Sequence, residues 1–287
     1  MSAAPPADRC YRHPDRSSWV LCQRCGRTIC GECQQQAPVG VRCPECVREL
    51  RAEQQTMLRE TRASNGAPRT AVGRRARQWL AQPAPVTIAI AVVTAAVGVL
   101  QILPGDLAES LLFYTPFSLA EPWRFVTYAL VHAGVLHFAF NMLVLWMVGP
   151  PIEERIGRLP FLAAYLVSVA GAAVAVAWFT PAAGVVGASG GIYALFGMTI
   201  GMQRMVGRVN RSLLIIVGIN LVITFLFASI SWPAHVGGLL IGLALGFGIG
   251  FADTRSKVRT STASWLVIGA TALVLAALFA ARVATLL

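Results

Sequence analysis

The sequence predicts an all-α polytopic membrane protein preceded by a small zinc-binding domain, and three observations lead there. Charged residues make up 13% of the 287 and apolar residues 56%, whereas ordinary soluble domains are about 25% charged. Polarity is unevenly spread. The chain is polar and Arg-rich from Met1 to about Pro85, then becomes a series of long apolar runs from Val86 onward. All seven cysteines fall in the polar part, so the two parts suit different solvents. No cleavable signal peptide is expected, because the N-terminus is polar and the first apolar run begins only at Val86.

The cysteines and one histidine come in closely spaced pairs: Cys10-x-x-His13, Cys22-x-x-Cys25, Cys30-x-x-Cys33 and Cys43-x-x-Cys46. A tight turn between two such residues points both ligand atoms at one metal, and eight ligands suffice for two tetrahedral zinc ions. Only four residues separate Cys25 from Cys30, too few for adjacent pairs to fold back onto one ion. An interleaved arrangement follows, with Cys10, His13, Cys30 and Cys33 on one zinc and Cys22, Cys25, Cys43 and Cys46 on the other. A disulfide framework fits less well. Seven cysteines cannot all pair within the chain, and His13 would have no reason to complete the set.

This domain is expected to occupy residues 1–50 in the cytosol, with its folding energy drawn largely from the metal. Residues 51–85 continue as a charged helix (Val47 to about Arg62) and a flexible linker around Ala63–Gly73, marked by Gly, Pro and small polar residues. A tethered finger of this kind fits a cytosolic protein partner. Nucleic acid is not the expected partner: no aromatic-interleaved basic stripe accompanies the +11 net charge.

About 20 apolar residues cross the hydrocarbon core as a helix. Seven runs are candidates: Val86–Leu103, Phe125–Val148, Phe161–Phe179, Ser189–Arg204, Leu213–Ala228, Pro233–Phe251 and Trp265–Ala280. Pro104, Pro116, Pro122, Pro150, Pro151, Pro181 and Pro233 are expected at span ends or in connections, and Pro160 in a first helical turn. Cations gather before the first run (Arg74, Arg75, Arg77) and after the second (Arg155, Arg158), fourth (Arg204, Arg208, Arg211) and sixth (Arg255, Lys257, Arg259). Because Arg and Lys favour cytosolic loops, the N-terminus is expected in the cytosol and the C-terminus outside, as an odd number of spans requires. The expected location is a bacterial plasma membrane. Residues 86–253 form the expected transmembrane core, and 254–287 a cytosolic basic loop with the seventh span.

Ionisable groups within spans are costly and mark function. Three histidines qualify: His132, His137 and His235. His137 and Asn141, four apart, are expected on one helix face, with His132 about one turn earlier on the same helix. His235 heads a run in which Gly238, Gly242, Gly246 and Gly250 repeat every fourth residue. Such a stripe admits another helix very closely. Ser189 heads the fourth run, which carries Gly197 and Gly201 further down. If these two parallel helices pack through their glycines, hydroxyl and imidazole meet as nucleophile and general base. Taken singly, each feature has a plainer explanation in a backbone-bonded serine, a carbonyl-bonded histidine or simple packing. The combination at one depth points to a site.

The other motifs narrow the chemistry. No H-E-x-x-H of a zinc protease is present. The acids beyond residue 85 (Asp106, Glu109, Glu121, Glu153, Glu154 and Asp253) lie in loops or near span ends. None is evidently available to orient His235, so a Ser–His dyad fits better than a triad.

Residues from about 86 to 251 resemble a rhomboid intramembrane serine protease. The resemblance is carried by Trp123–Arg124, by "HAGVLHFAFN" with His132, His137 and Asn141, by "EERIG" at Glu153–Gly157, by "GASGGIY" at Gly187–Tyr193 and by "AHVGG" at Ala234–Gly238. It implies a six-helix bundle, with the run Trp265–Ala280 as the added C-terminal helix of the 6+1 type. It implies Ser189 as nucleophile, His235 as general base, and an oxyanion hole from the Ser189 N–H with the side chains of His137 and Asn141. Tyr193 would stack on His235, His132 would give a supporting hydrogen bond, and Gly187 and Gly190 would be the small neighbours of the nucleophile. Trp123–Arg124 would be structural, in the loop between the first two spans. Catalysis would need no metal.

Inactive relatives carry a proline before the serine; here Ala188 stands there, so activity is expected. Substrates would be single-span or polytopic membrane proteins in the lipid bilayer. The finger resembles a B-box or RING-like cross-brace on ligand spacing, and the rhomboid resemblance does not explain it. Two other classes compete: a catalytically silent relative that binds membrane segments, and a transporter, which would need a polar path that the histidine cluster alone does not supply.

Overall fold

A computed structural model describes residues 8–37, 39–64, 82–255 and 260–285. The chain falls into two compact units, Met1–Arg77 and Gln78–Leu287. The predicted linker from residue 65, with Arg74, Arg75 and Arg77, and the basic-loop residues Lys257 and Arg259 lie outside the described residues.

The N-terminal unit has little regular structure before its helix. Strands β1 (Gln35–Gln36) and β2 (Val41–Arg42) pair antiparallel, Gln35 opposite Arg42, and a single 3-10 turn covers Gly31–Cys33. Helix α1 (Pro44–Ser64) begins immediately after Cys43, with proline in the first turn, where its missing N–H costs nothing. Arg24 ties the helix back to the finger, pairing with Glu53 at 2.8 Å and donating to the Cys46 carbonyl.

The described residues of the second unit form helices and loops. After α2 (Pro85–Leu100) comes a long connection with two short helices, α3 (Leu107–Leu111) and α4 (Arg124–Thr127). Then follow α5 (Val135–Ile156), α6 (Arg158–Phe179), α7 (Ser189–Met205), α8 (Arg211–Leu226), α9 (Trp232–Arg255) and α10 (Thr260–Ala284). Each predicted run becomes a helix. Among the described residues, four helical stretches are long and apolar enough to cross a membrane: Val135–Ile156, Arg158–Phe179, Trp232–Thr254 and Thr262–Ala284; α2 and α8 are shorter apolar helices.

Two expectations need correction. The second span does not start at Phe125. Residues 128–134 are partly buried loop, and α5 begins after Gly134, whose φ of +128° a residue with a side chain adopts rarely. An apolar loop buried against the bundle reads like helix in composition, and the backbone turn decides otherwise. Pro150 and Pro151 do not end the span but lie inside α5. Proline's fixed φ is itself helical, and the helix runs on to bring Glu153 to α2. There the buried carboxylate accepts hydrogen bonds from the Val86 N–H (2.9 Å), the Thr87 N–H (2.7 Å) and the Thr87 hydroxyl (2.8 Å). Pro85 has no donor to satisfy, so one side chain caps the first turn of α2. Gly149 makes room for that contact, since a Cβ there would lie 2.7 Å from Thr87 Cγ2.

The connection between α2 and α5 is braced from within. Buried Arg124 donates to the carbonyls of Glu109 (2.6 Å) and Leu112 (2.7 Å) and pairs with Glu121, while Trp123 donates to the Ser110 carbonyl. Every one of these bonds stays inside the loop.

The centre of the bundle is the α7–α9 seam, where backbone lies on backbone. A Cβ at Gly238, Gly242 or Gly246 would collide with the carbonyls of Gly190, Ala194 or Met198. In return, one at Gly197 would strike the Leu239 carbonyl, and one at Gly201 would sit 2.7 Å from the Phe247 nitrogen. Small residues let helices in an apolar solvent gain dispersion over their whole length.

Candidate active site

Ser189 is the first residue of α7 and His235 lies in the first turn of α9. The glycine seam holds the two helices so close that Ser189 Oγ lies 2.8 Å from His235 Nε2. One turn below the serine, Tyr193 lies flat on the imidazole, ring centroids 4.2 Å apart and planes within 20°. His235 is 8% exposed.

The segment leading to Ser189 is fixed by the loop opposite. Phe113 and Val185 exchange both backbone hydrogen bonds, and the Gly187 N–H donates to the Tyr128 carbonyl at 2.9 Å. Gly187 has φ +113°, and a Cβ on it would lie 2.8 Å from His137 Nε2. Only glycine lets that ring approach the backbone two residues before the serine. A Cβ on Gly190 would meet that of Ala172 at 2.7 Å.

His137 lies in the first turn of α5. Its Nδ1 accepts from the Ala133 N–H at 3.3 Å, so the ring proton belongs on Nε2, the nitrogen facing Gly187. Asn141 is buried one turn on and spends one amide hydrogen on the His137 carbonyl at 2.7 Å, keeping the other. His132 is not on this helix, contrary to the sequence expectation. It sits in the loop before Gly134, where Gln101 brackets its backbone, accepting from its N–H (3.0 Å) and donating to its carbonyl (2.7 Å). From there its Nε2 accepts from the Ala188 N–H at 3.4 Å and its ring meets that of His137 edge-on at 5.1 Å.

One residue at the site was not anticipated. Thr224, near the end of α8, is buried with its Oγ1 2.7 Å from His235 Nδ1 and 3.3 Å from the Tyr193 hydroxyl. The sequence marks it only as the one hydroxyl in the run Leu213–Ala228.

Residues 119–251 match the model of the Rhomboid domain family. The chain is 31% identical over 185 residues to mouse rhomboid-related protein 2, covering 58% of this chain and 61% of that protein. It is also 31% identical over 189 residues to the rhomboid protease GlpG of Yersinia pestis (strain Pestoides F), covering 62% of this chain and 66% of the relative, and equally so to that of Yersinia pseudotuberculosis serotype O:3.

The chain carries a rhomboid domain.

It is an integral membrane protein, and it spans 61% to 66% of the length of these curated relatives. The rhomboid match includes Ser189, His235, His137 and Asn141 and takes in Thr224 as well.

The finger lies outside the matched residues. Its candidate ligands gather in two groups, Cys10, His13, Cys30 and Cys33, and Cys22, Cys25, Cys43 and Cys46, with the atoms that could bind a metal within 4.8 Å of one another in each. The grouping is the interleaved one. A metal–sulfur bond of about 2.3 Å gives tetrahedral edges of about 3.8 Å. His13 Nδ1 lies 3.3, 3.4 and 3.9 Å from the sulfurs of Cys30, Cys33 and Cys10, and the Cys25 and Cys43 sulfurs are 3.8 Å apart. These residues therefore fit a tetrahedral ion. Burial works against charging the Cys10 and Cys22 thiols, but backbone N–H groups around each outweigh it and bring both down to about 6. Each group thus contains a ready thiolate.

Proposed function

We propose that this rhomboid is an active intramembrane serine endopeptidase that hydrolyses peptide bonds in or near transmembrane segments of membrane-protein substrates. The observation that carries this reading is the 2.8 Å contact between Ser189 Oγ and His235 Nε2, part-buried between helices with Tyr193 stacked on the base. Ser189 Oγ attacks the scissile carbonyl as His235 Nε2 takes its proton, and the same nitrogen returns that proton to the leaving amine. Water then hydrolyses the acyl-enzyme by the reverse use of the base.

The oxyanion is received by the Ser189 N–H, a free first-turn donor of α7, by His137 Nε2–H and by the unspent amide hydrogen of Asn141. His132 supports the turn at Ala188, and Gly187 and Gly190 leave room for the substrate backbone. Substrates present small, helix-weakening residues at the cut, because an intact helix hides its carbonyls in i→i−4 bonds.

The finger is proposed to carry two structural zinc ions, which supply cross-links between loops and take no part in hydrolysis. The cation-rich loops support a cytosolic finger and an outward C-terminus, and a bacterial plasma membrane remains the proposed location. A cytosolic protein is its proposed partner.

A fluorophosphonate probe on the full-length protein in detergent tests the reading. Label is expected on the wild type and absent from Ser189→Ala and His235→Ala. Equal label on all three, or none on folded wild type while a soluble serine hydrolase reacts alongside, overturns it and leaves a catalytically silent binder of membrane segments.

A further inference from the structure

Among the described residues no carboxylate meets the far nitrogen of His235. Among the described residues its ring nitrogens meet two hydroxyls, Ser189 at Nε2 and Thr224 at Nδ1. The acids of this unit with described partners face elsewhere: Glu153 caps α2, Glu121 pairs with Arg124, and Asp253 with Arg155. We propose that Thr224 is a positioning residue that fixes the His235 imidazole with its proton on Nδ1 and its Nε2 lone pair on Ser189. This rests on the protease reading above and adds the group that makes His235 a base rather than a donor.

The assignment follows from counting hydrogens. Thr224 Oγ1 lies 2.8 Å from the Asn220 carbonyl and 2.7 Å from His235 Nδ1. A carbonyl has no proton, so the first contact is a hydrogen bond only if the threonine donates. Threonine has one hydroxyl hydrogen. The second contact therefore needs its hydrogen from Nδ1. A neutral imidazole carrying Nδ1–H has a bare Nε2, which accepts from the Ser189 hydroxyl. The Tyr193 hydroxyl, 3.3 Å away, has the second Oγ1 lone pair to donate into.

Thr224 is 3% exposed, so no bulk water competes for these bonds. In the opposite tautomer Thr224 would have to abandon the Asn220 carbonyl, and Nε2–H would donate to the serine it is meant to deprotonate. A neutral hydroxyl orients the ring without the charge of a carboxylate. Its loss should therefore cost far less than the roughly 10⁴-fold that follows removal of a charged orienting group.

The test uses full-length protein with Thr224→Val, which keeps the shape and loses the hydroxyl, and Thr224→Ser, which restores it. Two readouts are taken: the rate of fluorophosphonate labelling, and the imidazole ¹⁵N shifts, assigned by comparison with His235→Ala among only four histidines. Wild type should show His235 protonated on Nδ1. Thr224→Val should label about 10- to 100-fold more slowly, the range for one hydrogen bond to a group that becomes charged, with the tautomer moving towards Nε2–H. On a cleaved substrate the loss should fall on kcat and leave KM unchanged, and Thr224→Ser should recover most of it.

A wild-type His235 protonated on Nε2, or a Thr224→Val protein that labels at the wild-type rate with its tautomer unchanged, overturns the proposal. Should wild type take no label, the protease reading fails and the tautomer comparison still decides this one. Should Thr224→Val not fold, the wild-type tautomer decides it.

Discussion

Among the described residues, seven buried side chains core the N-terminal unit, and six of them are cysteines, Ile29 being the exception. The membrane unit is cored instead by large apolar groups such as Phe113, Leu145, Phe161 and Leu195 around a seam of backbone on backbone. Both units bury polar chemistry, but in the finger the polar groups are the core, whereas in the bundle Ser189, His235 and Thr224 ride on a core that other residues make. In the finger, ligand chemistry and fold should fail together. In the bundle they should come apart.

The largest effect is expected at the seam. Gly242→Leu drives a side chain into the Ala194 carbonyl, where rigid backbone on both helices leaves nothing to yield. The expected outcome is no folded bundle, read as loss of a monodisperse species in detergent. Gly218→Leu is the control: that glycine sits in α8 with nothing within 4 Å of its added Cβ, and it should be tolerated. Equal behaviour of the two would break the contrast.

Next in size is removal of the metal. Chelation, or Cys43→Ser, should open the N-terminal unit to protease while leaving the rate of Ser189 labelling within twofold of wild type. Metal analysis of the untreated chain should find two zinc ions per chain. Protection that survives chelation would show that the finger holds itself together without ligands to a metal.

The smallest effect belongs to Glu153→Gln, which replaces an acceptor-only cap with one that also carries donors. It should lower the stability of the bundle by about 1–3 kcal/mol, the scale of a buried donor left unsatisfied. Thermal unfolding in detergent would read it, and labelling per folded molecule should stay unchanged. A loss of labelling without loss of stability would mean that the cap acts on the site rather than on the fold.

What the sequence revealed divides along similar lines. Helix positions were legible because lipid demands long apolar runs, and the finger's grouping was legible because four residues between Cys25 and Cys30 cannot reverse direction onto one ion. The meeting of Ser189 and His235 was readable from glycines at four-residue spacing on two runs of the same direction. Thr224 was not, because its role depends on the rotation of α8 about its axis, which a single hydroxyl in an apolar run leaves free. Glu153 was placed near a span end without its partner, since a carboxylate sequence does not say which helix start it will face. His132 was misassigned to a helix because the left-handed turn at Gly134 has no apolar signature.

The reach of Glu153 bears on how the bundle is assembled. The donors it accepts from, at Val86 and Thr87, were synthesised 67 and 66 residues earlier. A buried backbone N–H left open costs about 1–3 kcal/mol. Helix α2 therefore leaves the ribosome with those two donors unmatched by Glu153, and they are matched only when α5 has been made down to its final turns. A nascent chain truncated before residue 153 would carry α2 without that cap. The order of synthesis thus sets an order of closure: α2 is capped only after α5 exists.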